Sequence, residues 1–176
     1  MFNIRKKFSS QWVQDHMIPA MEYHPYSTIS QREFWEELAP ELKQHLIDKG
    51  KEYLGFEWKG VPAIYYMEFF RSGDRMCYED LAFNKRLALG SLVIAECVQN
   101  DDMFLDDIIN GIWSICEESS WAASAHLHHS VKTKDILPDA INDSILDLFA
   151  METAQLLAFI YYLLKDKLDE VSVQIA

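Results

Sequence analysis

The run from Tyr78 to Gln99 constrains this chain more than any other, because between Leu87 and Val98 it is apolar on nearly every face. A helix with one apolar stripe can lie on a surface, but one that is apolar all round has to be enclosed by other helices. The remaining sequence supplies them. Ser30 with Glu33 three residues on forms a capping box ahead of Phe34, Trp35 and Leu38. Pro40 then opens a helix whose stripe is Leu42, Leu46 and Ile47, with Gly50 as its left-handed cap. Pro62 suits the first turn of a helix through Ile64, Met67, Phe69 and Phe70, ended by Ser72-Gly73-Asp74.

After the long helix, Asn100-Asp101-Asp102 reads as a turn. Asp101 caps the next helix and Asp102 sits in its first turn, where an acid is favourable to the dipole. Phe104, Leu105, Ile108, Ile109, Ile112, Trp113, Ile115 and Cys116 recur at three- and four-residue intervals, giving that helix one broad buried face. Ile145 to Leu164 is again apolar on nearly every face and is expected to be central. Residues 1–28 carry weaker signals, with Trp12, Val13, Met17 and Ile18 along one helix face ended by Pro19. Glu170 to Ala176 reads as the start of a further element. No alternating strand pattern occurs, so the fold class is all-α, built from antiparallel helical hairpins. With 176 residues, 49% of them hydrophobic, the chain can bury one sizeable core and is read as a single helical domain, 1–176.

Charge removes several function classes. A formal net charge of -12 argues against nucleic acid as a partner and against docking on an anionic membrane. The most apolar run, Leu156 to Leu164, is far short of the roughly 20 residues a membrane span needs. No apolar run follows Arg5, Lys6 and Lys7, so no secretory leader is expected. Cys77, Cys97 and Cys116 are odd in number, widely spaced and set in helical patterns. They read as reduced, buried thiols, and the expected location is cytoplasmic.

The candidate site starts where acids stand against a helix dipole. Glu117 and Glu118 follow the C-terminus of the Phe104–Cys116 helix, where an anion costs about 0.3–1 kcal/mol, so something other than helix stability keeps them there. They are either a buried anchor paired with Arg or Lys, or the lining of a cleft. Trp121 is a sugar-stacking platform or a plug over the core. Beyond Trp121 the chain reads as polar and irregular as far as Asp143, with His126 inside it, long for a compact helical domain and therefore a place to expect function. Asp147 and Glu152 lie on the apolar final helix, and a buried carboxylate predicts a partner. His126, His128, His129 and Glu118 have the ligand types for zinc, but their spacing matches no helical zinc motif, so neither metal nor cofactor is expected. Tyr65-Tyr66, Phe69-Phe70 and Tyr161-Tyr162 read as core packing.

The segment Phe104-Leu105-Asp106-Asp107-Ile108-Ile109-Asn110-Gly111-Ile112-Trp113, continued by Ile115-Cys116-Glu117-Glu118-Ser119-Ser120-Trp121 and Ala125-His126, resembles the N-terminal helical domain of heparinase II/III-family proteins. Leu92–Cys97, Leu146–Ala154 and Tyr161–Leu164 are similar to that family's neighbouring helices. The resemblance implies an incomplete (α/α) toroid, completed by further helical and β-sandwich portions beyond this chain. It implies a lyase that cleaves uronic-acid polysaccharides by β-elimination, with an acidic polysaccharide or oligosaccharide as partner. The family's catalytic Tyr and His lie downstream of the matched region, so no catalytic residue is assigned here and the chain alone is expected to be inactive. Glu117, Glu118, Trp121, His126, Asp147 and Glu152 become the substrate-binding candidates, with Lys85, Arg86, Lys132 and Lys134 as the cations facing a polyanion. Two alternatives remain: a glycoside hydrolase on the same helical architecture, or a non-catalytic helical carbohydrate-binding scaffold. For the hydrolase, Glu117 and Glu118 make a poor acid and base, since adjacent helical residues point about 100° apart.

Overall fold

A computed structural model of the chain describes residues 8–19, 22–126 and 146–168. Among these residues the structure is all-helical: seven α-helices, one 3-10 turn at Ser124–His126 and no strand. The helices are α1 (Ser10–His16), α2 (Arg32–Glu36), α3 (Pro40–Lys51), α4 (Ala63–Ser72), α5 (Met76–Gln99), α6 (Leu105–Cys116) and α7 (Leu148–Leu164).

Helix α5 is the spine, as its all-round apolar pattern requires, and α2, α3, α4, α6 and α7 each pack against it. Its Leu89, Leu92, Val93 and Ala95 meet Ile108, Ile112 and Ile115 of α6 and Leu157, Ile160 and Leu164 of α7 in the main core. Ile29 joins the same core, and its amide donates to Leu163 O, so the packed region begins just before α2. Helix α1 buries none of its residues.

Several local expectations are corrected by tertiary partners. The capping box at Ser30 does not form: α2 follows Gln31 with no side-chain cap, and the Ser30 hydroxyl donates instead to Asp166 Oδ2 at 2.6 Å. Gly50 is not a cap but lies inside α3, buried against α5. Gly73, at φ 85°, does end α4 in the left-handed conformation. Asp101 and Asp102 do not cap α6. Glu96, on α5 and fully buried, accepts from the amides of Asp102 and Phe104 and from Lys167 Nζ, so the carboxylate at the helix start comes from the neighbouring helix. At the other end of that turn, the Arg32 guanidinium donates to Cys97 O and Val98 O, closing the C-terminus of α5.

The final helix is less central than its composition suggests. It starts at Leu148, and Leu148, Met151, Glu152 and Tyr161 are exposed, while Phe149, Thr153, Leu157, Ile160 and Leu164 face inward. Glu152 is therefore a solvent-facing acid with no need of a buried partner. The thiols also differ from expectation: all three are free, but Cys77 is exposed and Cys116 is half-buried. Cys97 is enclosed, and burial pushes its thiol up to about 12. Among the described residues no helix is long and apolar enough to cross a membrane. Ile145 and Glu170 to Ala176 lie outside the described residues.

Candidate functional site

Beside the C-terminal end of α6 the chain leaves a cavity of about 560 Å³, within the usual range for small-molecule sites. Three parts of the sequence build it. The connection before α4 contributes Trp58, Gly60 and Val61; the N-terminal turns of α4 and α5 contribute Tyr66 and Tyr78; and α6 with the residues after it contributes Asn110, Trp113, Ser114 and Glu117 to Ser120. The result combines four large aromatic rings with an amide, three serines and two carboxylates.

The aromatic positions are fixed by packing. Tyr66 and Tyr78 meet edge to face at 5.2 Å between ring centroids. Trp58 lies against α6 where only glycine leaves room: a Cβ on Gly111 would stand 2.6 Å from Trp58 Cη2 and 2.8 Å from Cζ2. Gly111→Ala is accordingly expected to displace the Trp58 indole from the cavity wall. Increased quenching of tryptophan fluorescence by acrylamide at an unchanged helical content checks this, and unchanged quenching would show that the ring stays seated. Trp113, on the same helix, is half exposed rather than part of the buried face.

Two polar atoms in this wall have no hydrogen-bond partner among the described residues. They are Trp58 Nε1 and Tyr78 Oη, both shut off from solvent. An unsatisfied buried donor typically costs about 1–3 kcal/mol. Burial, followed by the nearby Glu118 charge, holds the Tyr78 phenol well above its ordinary pKa, with Arg86 opposing. The hydroxyl is therefore a neutral donor at physiological pH.

Below the cavity lies the reason for the acid at the end of α6. The Glu118 side chain is only 6% exposed, and its Oε1 accepts from Lys85 Nζ and Arg86 Nη1, both at 2.8 Å, while Oε2 accepts from Arg86 Nη2 at 2.6 Å. Lys85 has no exposed surface and also donates to Ser114 O, while Arg86 reaches Thr153 Oγ1 and stacks over the Phe149 ring. Of the two readings for the acid pair, the anchor describes Glu118. Glu117 is exposed at the cavity.

The other candidates separate. Trp121 packs on the main core with its indole N–H on Ile115 O at 2.9 Å, and it does not line the cavity. Asp147 caps α7 through Ala150 N, accepts from Ala123 N and stands 2.5 Å from His126 Nδ1, which ties the chain after Trp121 to the start of the last helix. This segment is not the polar stretch expected from its start, since Ala122 to Ala125 are buried. Glu152 lies on the exposed face of α7 and does not line the cavity. The zinc arrangement loses Glu118 to its two cations and His126 to Asp147; His128, His129, Lys132, Lys134 and the rest of the stretch to Asp143 lie outside the described residues. Lys85 and Arg86 face Glu118 rather than open solvent.

Sequence reasoning missed Trp58, Tyr66, Tyr78, Asn110 and Trp113 as cavity residues. Only Trp113 left a trace, as a large aromatic beside polar Asn110 and Ser114. No protein-family model matches the chain, and no curated protein matches it.

Proposed function

We propose that the chain is a non-catalytic helical domain that binds a saccharide in the cavity between Trp58 and Trp113. The observation that carries this reading is the lining itself: indole and phenol surfaces for the apolar faces of a sugar ring, interspersed with Asn110, Ser114, Glu117, Ser119 and Ser120 for its hydroxyls. Free thiols support a cytoplasmic location.

Trp113 offers the direct test, because its half-exposed ring can be removed without opening the core. Trp113→Ala is expected to weaken oligosaccharide binding by roughly tenfold or more, about 1.4 kcal/mol, at nearly unchanged melting temperature. Calorimetric titration with a panel of neutral and acidic oligosaccharides reads the affinity. Equal affinity in the variant sinks the cavity as the site.

The uronate-lyase reading, with this chain as one part of an incomplete (α/α) toroid, is the narrower proposal. Incubating the full gene product with uronate polysaccharides tests it, through the ultraviolet absorbance of a new C4=C5 double bond. New reducing ends without that absorbance point to the hydrolase instead.

A further inference from the structure

Asn110, Trp113 and Glu117 follow one another at intervals of three and then four residues along α6, and all three are exposed at the cavity. That spacing sets them on one strip of the helix. The helical turn carries through to Glu117, whose amide donates to Trp113 O at 3.0 Å. An indole face and a carboxylate therefore stand one turn apart in the same wall, both open to a ligand. A positive charge is the group that both attract, the carboxylate through a charge-assisted hydrogen bond and the ring through its π face. The protein does not supply one: among the described residues no lysine, arginine or histidine lines the cavity. Lys85 and Arg86 are held by Glu118, and Lys59, next to Gly60 of the lining, pairs with Glu57. The net charge of -12 adds a field that draws cations and repels anions. An amino sugar fits this wall, since its ring brings an apolar face and hydroxyls and its protonated amine brings the charge.

We propose that the cavity is selective for protonated amino sugars, with Glu117 as the specificity-determining residue that holds the ammonium group and Trp113 as the ring beside it. This rests on the saccharide-binding reading above. Glu117 is exposed and belongs to neither hydrophobic core, so its charge can be removed without disturbing the packing. It stands at the C-terminus of α6, against the helix dipole, so Glu117→Gln leaves the melting temperature unchanged or raises it.

The experiment is calorimetric titration of the full chain, of Glu117→Gln and of Glu37→Gln with the trimers of glucosamine, of glucose and of galacturonic acid, at a pH where the glucosamine amines are protonated. Glu37, exposed at the end of α2 and outside the cavity lining, is the control, because its substitution changes the net charge by the same amount. The wild-type chain is expected to bind the glucosamine trimer roughly tenfold more tightly than the glucose trimer, and the uronate trimer most weakly. Glu117→Gln is expected to bring the glucosamine and glucose affinities within about twofold of each other while leaving the glucose affinity as it was. Glu37→Gln should keep the wild-type preference. Equal wild-type affinity for the glucosamine and glucose trimers overturns the proposal but leaves saccharide binding standing. A preference that persists in Glu117→Gln overturns the role of that carboxylate, and one lost equally in Glu37→Gln belongs to the charge of the whole chain and overturns it as well. Tightest binding of the uronate trimer overturns the cationic assignment, and no binding of any trimer overturns the saccharide reading and this inference together.

Discussion

Glu118→Gln is expected to cost about 3–5 kcal/mol of folding stability, the usual consequence of removing one member of a buried ionic cluster. The substitution is nearly isosteric, so packing is kept and the loss is electrostatic. Lys85, with no exposed surface, and Arg86, whose side chain is 9% exposed, would be left as two cations sharing a neutral amide. Domains of this size are stable by about 5–15 kcal/mol, so the variant gives up a large part of its margin. Thermal and urea unfolding read the effect, with a fall in melting temperature on the order of 10 °C. Adding Lys85→Met to Glu118→Gln removes one stranded charge and should recover part of the loss. A melting temperature within about 2 °C of wild type would show that the cluster is solvated and contributes little. Because Glu118 carries this load, a loss of ligand binding in a destabilised variant says nothing about contact with a sugar; the half-exposed Trp113 is the position for that question.

The second large effect is expected at Gly50, where α3 crosses α5. A Cβ there would stand 2.2 Å from Ala95 Cβ, 3.2 Å from Phe104 Cε1 and 3.4 Å from Ser91 O. A methyl group against a methyl group cannot be relieved by a rotamer change, so Gly50→Ala must push the two helices apart. Overpacking typically costs about 1–3 kcal/mol, and this backbone-fixed clash belongs at the upper end, well above the roughly 1 kcal/mol that alanine gains over glycine in a helix. Gly50→Ala with Ala95→Gly exchanges the methyl groups across the crossing. The pair should regain most of the lost stability by denaturant titration, with a residual deficit from the contact at Phe104. A pair no more stable than Gly50→Ala alone would place the strain elsewhere.

Both effects arise from contacts between helices, and this marks what was legible beforehand. The spine role of α5 follows from its all-round apolar pattern, and the span of α6 follows from the spacing of Ile108, Ile112 and Ile115. Glu117 and Glu118 stood out because they oppose a helix dipole, which identified a compensated charge without identifying the compensator. Lys85 and Arg86 supply it from α5, 33 and 32 residues earlier in sequence. Local capping rules failed at Ser30 and Asp101 for a similar reason: Asp166 and Glu96, brought in by the fold, compete for the same groups.

The sequence by itself determined that the chain is helical, where most helices run, and which one must be enclosed, because periodicity and chain breakers act over a few residues. Only the tertiary structure decided which helix faces are wet, as with Glu152 and Trp113, and where a cavity opens. The cavity depends on Trp58, Tyr78 and Trp113 arriving together from three separate segments, held by the absent side chain of Gly111. Distances of that kind are set by packing between elements, and no spacing within one element encodes them.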